Sequence, residues 1–472
     1  MQNFNNTLMN RNILRLALPN IITNITVPLL GIVDMAIVGH LSSTHIGAIT
    51  IGTSIFNLIY WNFGFLRMGT SGFTAQAYGA RNFAEAVRIF VRAFAIALLI
   101  ALLLIVFQRP LGRFACWILN SSGDIMRLAL IYFSVRIWAA PATLGLYAIK
   151  GWFIGMQNSK APMWIAIFIN VVNILCSLLF VLVFGWDIAG VALGTVIAQY
   201  SGLVLGFVIC LKKYGPLFRE HLDIRNSLKI RQMMGFFKVN GDIFLRTVCL
   251  CAVFTFITSA SAKISDEILE RDALLLQFFT LFSYIMDGFA YAGEALVGRY
   301  IGERNKPLLQ KSVRYLLLWG LGLTVLFTGL YAAFGDLFLH IFTSEAKLIA
   351  GVQDYLFWIL LVPVCGFAAF LFDGIFVGAT ASRTMRNAMF VATLAFFGVY
   401  YGLPRVIYVA PDDIALRNNV LWIAFMVYLV LRGVLQGVFV RKAVYGKVSY
   451  RAPVSSPIRL RLTPCGRQTA SG

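Results

Sequence analysis

Charge is what this chain has least of. Only 13% of its 472 residues are Asp, Glu, Lys or Arg, and the acids number 20. That is too few ions to coat a water-soluble chain of this length. Histidine is rarer still: the four are scattered, so no metal-ligand cluster and no metal cofactor is expected. The seven cysteines (Cys116, Cys176, Cys210, Cys249, Cys251, Cys365 and Cys465) are odd in number and lack a C-x-x-C spacing. Most lie in apolar segments and read as reduced core residues, which excludes a disulfide framework. Alternating segments of about 10 residues, the mark of a membrane barrel, are missing too; stretches such as 95–107 and 178–184 do not alternate.

What the chain holds instead is long apolar blocks. Hydrophobic residues make up 59% of it and the mean hydropathy is +0.79. A helix needs about 20 residues to cross a bilayer. Twelve blocks qualify: 13–38, 46–70, 86–108, 127–149, 162–184, 188–210, 235–260, 274–298, 313–334, 352–377, 386–408 and 420–440. The first is too long for a cleavable signal, lacks a small-residue cleavage site, and contains Pro19 and Pro28. It reads as a membrane helix bent by its prolines. The expected fold class is an all-α polytopic membrane protein with twelve transmembrane helices.

The net charge of +20 would suit a nucleic-acid binder if the bases clustered on one domain. They sit in alternate turns instead. Arg81, Arg88 and Arg92, then Lys160, then Arg299, Arg304, Lys306, Lys311 and Arg314, then Arg383 and Arg386 share one side with the basic connection 212–232 and the tail. Asp124, Asp187, Asp266, Glu267, Glu270, Asp272, Asp336, Glu345, Asp354, Asp412 and Asp413 fall in the other turns. The positive-inside rule then places both termini in the cytoplasm of a multi-pass inner-membrane protein. The bilayer is the partner, and no nucleic acid is expected.

The chain also repeats itself. Gly79-Ala-Arg-Asn82 returns as Gly302-Glu-Arg-Asn305, an offset of 223. The same offset lays Gly112 on Gly335 and carries Gly151, Phe153, Gly155 and Ser159 onto Gly374, Phe376, Gly378 and Ser382. Six spans per half return the chain to its starting side, so the halves share one orientation about an axis along the membrane normal. The expected division is a lobe over 1–210, a basic cytoplasmic linker over 211–232, a second six-helix lobe over 233–440 and a disordered tail over 441–472. Paired lobes suit alternating access about a site at their interface.

Charges inside spans are expensive and usually functional. Five acids (Asp34, Asp242, Asp287, Glu294, Asp373) and five bases (Arg67, Arg136, Lys150, Arg246, Arg432) fall there. Asp34 reads either as a coupling group, because an acid held from water takes up a proton more readily, or as a structural carboxylate. Asp242 and Arg246, four apart, can pair on one helix face. Asp287 and Glu294, seven apart, can face a cavity and attract cations, or Glu294 can sit at the cytoplasmic rim. The offset maps Lys150 onto Asp373, so the two could pair across the axis; otherwise Lys150, like Arg67, would snorkel to the interface. Asn170 and Asn173 can present amides to one cavity or serve as polar glue between helices.

These motifs resemble a known family. Val33-Asp-Met-Ala-Ile-Val-Gly-His-Leu41 resembles the first-span signature of the multidrug and toxic compound extrusion (MATE) family. Phe65-Leu-Arg-Met-Gly-Thr-Ser-Gly-Phe-Thr-Ala-Gln-Ala-Tyr-Gly-Ala-Arg-Asn82, Asp287-Gly-Phe-Ala-Tyr-Ala-Gly-Glu-Ala295 and Asp373-Gly-Ile-Phe-Val-Gly-Ala-Thr380 resemble its DinF branch. Gly190-Val-Ala-Leu-Gly-Thr-Val-Ile-Ala-Gln199 is similar to its sixth span. The resemblance implies a V-shaped pair of lobes exporting organic cations or amphiphiles against proton or sodium entry. It carries the coupling role to Asp34, Asn170 and Asn173. One departure stands out: where the family often has an acid four residues after the second Asn, this chain has Ser177. No catalytic grouping is visible, so an enzyme is not expected, and a monomer is. The alternative kept open is a lipid-linked oligosaccharide flippase of the same architecture.

The charge asymmetry gives a direct test of orientation. In a cysteine-free background, a cysteine placed in 265–272 should react with an impermeant maleimide on intact cells. One placed in 212–232 should react only after lysis, and the reverse pattern overturns the assignment.

Overall fold

The computed structural model describes residues 2–39, 43–118, 123–343, 345–407 and 413–448. Every regular element among them is helical. Eleven helical segments are long and apolar enough to cross a membrane. They are α2 (Thr44–Gly79), α3 (Phe83–Val106), α4 (Gly123–Gly155), α5 (Lys160–Val183), α6 (Asp187–His221), α7 (Met233–Ile264), α8 (Asp266–Gly302), α9 (Lys306–Phe342), α10 (Leu356–Gly378), α11 (Ser382–Val406) and α12 (Ile414–Lys447). With α1 (Gln2–Gly39), a 38-residue helix that runs on through both prolines, each of the twelve apolar blocks has its helix. His40, Leu41 and Asp412 lie outside the described residues, as do the side chain of Cys116 and all of 449–472. The other five cysteines are free thiols.

Helices win because lipid offers backbone groups no hydrogen bonds, and a helix satisfies its own. The outer faces are apolar: Leu99, Leu102, Val106, Leu182, Val183, Val325 and Leu394 are exposed where lipid would cover them. Apolar residues therefore gain little by leaving lipid for one another, and the helices associate by close packing of small residues.

Here the repeat becomes geometry. A Cβ on Gly298 would strike Cβ of Ala75, its own repeat mate, so the pseudo-twofold axis passes between α2 and α8 at that point. Around it the contacts come in matched pairs. Gly79 lies on the Arg299 carbonyl and Gly302 on the Gln76 carbonyl; Gly151 lies on Arg67 and Gly374 on Ala290, again carbonyl contacts that leave no room for a side chain. Gly155 sits so that a Cβ would lie 2.8 Å from the Ser71 carbonyl, and Gly378 so that one would lie 2.5 Å from that of Glu294. The G-x-R-N turns are equally paired. Arg81 and Arg304 take left-handed φ values of 56° and 54°, and Asn82 and Asn305 then cap the next helices by accepting from the Glu85 and Leu308 amides at 3.0 and 3.1 Å.

Each half has its own apolar cluster, yet the halves trade pieces. Ile13 at the start of α1 is buried in the C-terminal cluster, and its repeat mate Phe236 at the start of α7 is buried in the N-terminal one, stacked on Phe73 at 5.6 Å.

Two sequence boundaries move. The connection is largely helical: α6 runs to His221, and a short helix, Ile224–Ser227, precedes α7. The Asn226 backbone amide, 3.0 Å from Asp223 Oδ1, caps that helix and holds the Asp223 carboxyl below its usual range. Arg92 Nε donates to the Ser227 carbonyl at 2.9 Å and ties the connection to α3. The tail does not begin at 441. The helix continues to Ala443, Val444 and Val448 are buried in the C-terminal cluster, and the Lys447 ammonium donates to the Ala379 carbonyl and, at 3.2 Å, to Thr380 Oγ1. A polar sequence there had hidden a docking role.

Packing of this kind predicts a position-specific cost. Gly374→Ala should lower stability by about 1–3 kcal/mol, because the methyl has only backbone to displace. Gly322→Ala, with nothing within 4 Å, should be neutral or stabilising. Thermal unfolding of the detergent-purified variants reads both, and equal behaviour would refute the packing argument.

Candidate functional site

The intramembrane charges fall into three groups, one in each lobe and one between them. In the N-terminal lobe α1 brings in Asp34, 2% exposed, and α4 brings Arg136 beside it as its charged neighbour. The Arg136 guanidinium also donates to the Tyr132 hydroxyl and to Thr53 Oγ1 at 3.4 Å, and lies 4.9 Å from the Phe56 ring centroid. Asp34 is thus not isolated. Ser177, fully buried, stands next to it on α5, packed against Gly194 of α6. Asn173 donates to Thr195 Oγ1 at 3.0 Å. Asp34 Oδ1, Asn173 Oδ1 and Ser177 Oγ are buried with no hydrogen-bond partner among the described residues. Arg246 Nε, Arg432 Nε and Gln436 Oε1 in the other lobe are buried without a partner in the same way. The Asn170 amide donates to the Thr26 carbonyl at 2.8 Å and ties α5 to α1 two residues before Pro28.

Between the lobes, Arg67 of α2 grips Glu294 of α8 bidentately, Nη1–Oε2 at 3.1 Å and Nη2–Oε1 at 3.3 Å. The Ser71 hydroxyl donates to the same carboxylate, and the guanidinium lies 3.9 Å from the Tyr291 ring centroid. Ser71 and Glu294 are repeat mates, so this contact sits across the axis. Two sequence expectations fall here. Arg67 does not snorkel, and Glu294, 1% exposed, is not at a wet rim. An internal ion-pair partner one lobe away outbids the interface for both.

In the C-terminal lobe Asp373 accepts from Arg246, from Arg432 and, at 2.9 Å, from Gln436. Asp242 accepts from Ser382 at 2.8 Å and Arg386 at 2.6 Å. The expected Asp242–Arg246 pair is therefore replaced by tertiary partners on α10 and α11. The expected Lys150–Asp373 pair is absent as well, because Asp373 is saturated within its own lobe. Asp287 is half-buried, with Arg67, Arg246, Asp373 and Arg432 as its charged neighbours. Sequence reasoning missed one further acid. Asp272, counted as a loop residue, is 1% exposed and accepts from Ser261 at 2.5 Å, Trp422 at 2.8 Å and Asn418 at 3.1 Å. No group of three metal-ligating side chains occurs among the described residues.

Twelve helices in two axis-related lobes, with polar groups gathered inside each and between them, define an alternating-access membrane transporter. The comparisons give the family. The MatE family model matches residues 19–179 and 243–401, and the chain belongs to that family of multidrug and toxin extrusion transporters. It is 34% identical over 421 residues to the DNA damage-inducible protein F of Escherichia coli K12, covering 89% of each chain. Among solved structures it resembles the Vibrio cholerae MATE transporter VcmN in the bent form, with a TM-score of 0.81 at 17% identity, covering 93% of this chain and 98% of that one. An outward-facing multidrug resistance MATE transporter gives a TM-score of 0.78 at 17% identity over 93% of this chain and 96% of the other. Both solved structures are of MATE transporters, and nothing in the comparisons favours the flippase alternative.

The interlobe pair makes a quantitative prediction. Arg67→Met leaves Glu294 buried and unpaired and should cost about 3–5 kcal/mol. Arg67→Met combined with Glu294→Met should recover most of that loss. Additive destabilisation of the two single variants in thermal unfolding would show that the groups do not interact.

Proposed function

We propose that this transporter is a proton-coupled antiporter. It exports cationic or amphipathic organic compounds across the cytoplasmic membrane, with both termini cytoplasmic, and Asp34 carries the coupling proton. The observation behind this reading is the Asp34 carboxylate itself, buried with one oxygen unpartnered and a guanidinium, Arg136, beside it. A sodium ion wants several anionic oxygens. Here Ser177 stands at the position of the second acid, which leaves one carboxylate to neutralise a sodium ion. A proton needs only the one carboxyl.

Protonation removes the negative charge that Arg136 meets, while its bonds to Tyr132 and Thr53 hold the guanidinium in place. Asn173 and Ser177 lose the anion they face. α1 is held to α5 by Asn170 just before Pro28, so a change around Asp34 is transmitted to the proline segment. Bending there narrows the space between the lobes and displaces the bound compound. The interlobe pair Arg67–Glu294 and the glycine contacts close the end of the bundle that carries the basic turns, and they part when the lobes rock the other way.

Asp34→Asn should fold and reach the membrane but lose proton-driven export in proteoliposomes, down to the rate of protein-free vesicles. An imposed sodium gradient should drive no export by the parent. Full proton-driven export by Asp34→Asn, at matched protein levels, would move the coupling group to Asp242, Asp287 or Asp373.

A further inference from the structure

The intramembrane ions do not balance once their partners are known. Five bases face five acids within the spans, but Arg386 enters from the end of α11 and takes Asp242. Asp34 is met by Arg136 and Glu294 by Arg67; Arg246 and Arg432 both take Asp373, and Asp287, not itself ion-paired among the described residues, has Arg67, Arg246 and Arg432 as cationic neighbours. One cation is left over. Lys150, half-buried on α4, has no hydrogen bond or ion pair among the described residues, and its charged neighbour is another cation, Arg67.

Its surroundings explain why it has not simply snorkelled away. One turn on, along the same face of α4, Ile154 is 2% exposed and packed into the apolar cluster of the opposite lobe. Beside it Gly151 and Gly155 press on the backbone of Arg67 and Ser71. The route to the near end of the helix is sealed. Away from that seal the face stays partly open, along Thr143, Tyr147 and Lys150. Across the lobe boundary α8 offers a similar partly open stripe of Tyr284, Asp287 and Tyr291, and the Arg67–Glu294 pair lies between the two. Lys150 thus stands on a partly open stripe with Thr143 and Tyr147, beside the glycine-packed lobe boundary, with a cation and no acid as its charged neighbour.

We infer that Lys150 receives the anionic group of a bound amphiphile, with the tyrosines holding its apolar body. The ligand class is an amphipathic acid, carboxylate, sulfonate or phosphate, free or as a lipid headgroup. This rests on the transport reading above and narrows its amphipathic substrates. An ammonium without a carboxylate in a medium of low dielectric gains most from an anion brought by the ligand, and the aromatic walls favour a flat or chain-like body.

Equilibrium binding tests the idea, and since no ion gradient is applied, a failure of proton coupling would leave the result untouched. The full-length protein in phosphatidylcholine nanodiscs is titrated with dansyl-undecanoate and with its uncharged carboxamide. The parent should prefer the carboxylate by about tenfold or more, the range for one charge-assisted contact. Lys150→Met, or Lys150→Gln if the first does not fold, should erase that preference, and Lys150→Arg should keep it. If phosphatidylglycerol in the disc weakens carboxylate binding to the parent but not to Lys150→Met, the site is supported with a lipid headgroup as occupant. Weakening in neither supports it for free amphiphiles. An unchanged preference in Lys150→Met, or no preference in the parent, overturns the inference.

Discussion

The approach of α2 to α8 at Ala75 and Gly298 sets the terms for everything else. Two long helices can cross with backbones in contact only if a glycine or alanine stands at each closest approach, and these must be closest approaches in both halves at once. That requirement explains why the repeat is preserved in glycines and turn residues while the lobes differ elsewhere. It also brings Arg67 and Glu294 within reach, since each projects from a helix whose backbone already touches the other's. The ion pair is a consequence of the packing, and it adds a polar bond, absent from lipid, to a seam otherwise made of carbonyl contacts.

The two lobes use this common frame for different electrostatics. Around Asp373 the carboxylate is saturated by two guanidiniums and an amide, an arrangement that fixes α7, α10 and α12 together. Around Asp34 one guanidinium faces one acid.

Much of this was legible in the sequence, and the limit is physical. Span positions follow from lengths of apolar sequence, which lipid enforces without help from tertiary structure. The offset of 223 pointed to glycines that prove to be contact points, because close approach tolerates little else. Charge partnerships were not legible. Spacing along α7 made an Asp242–Arg246 pair reachable, but partners 144 and 127 residues away took both groups. The offset likewise aligned Lys150 with Asp373 without saying that each points into its own surroundings; repeat equivalence across a twofold axis does not imply contact unless the axis passes between the two residues, as it does for Ser71 and Glu294. Asp272 was hidden because a turn acid and a buried acid read the same until Trp422 and Asn418 are brought over it.

The exchange of Ile13 and Phe236 bears on how the protein is made. A chain threaded into the membrane from its first helix presents the start of α1 long before the helices that bury it exist. The N-terminal half, for its part, waits with the seat beside Phe73 unfilled until residue 236 has emerged. Neither half can reach its final packing alone. The first six helices must sit in the bilayer as a provisional bundle, held by their own glycine contacts, and settle only when the second half arrives and the two trade segments.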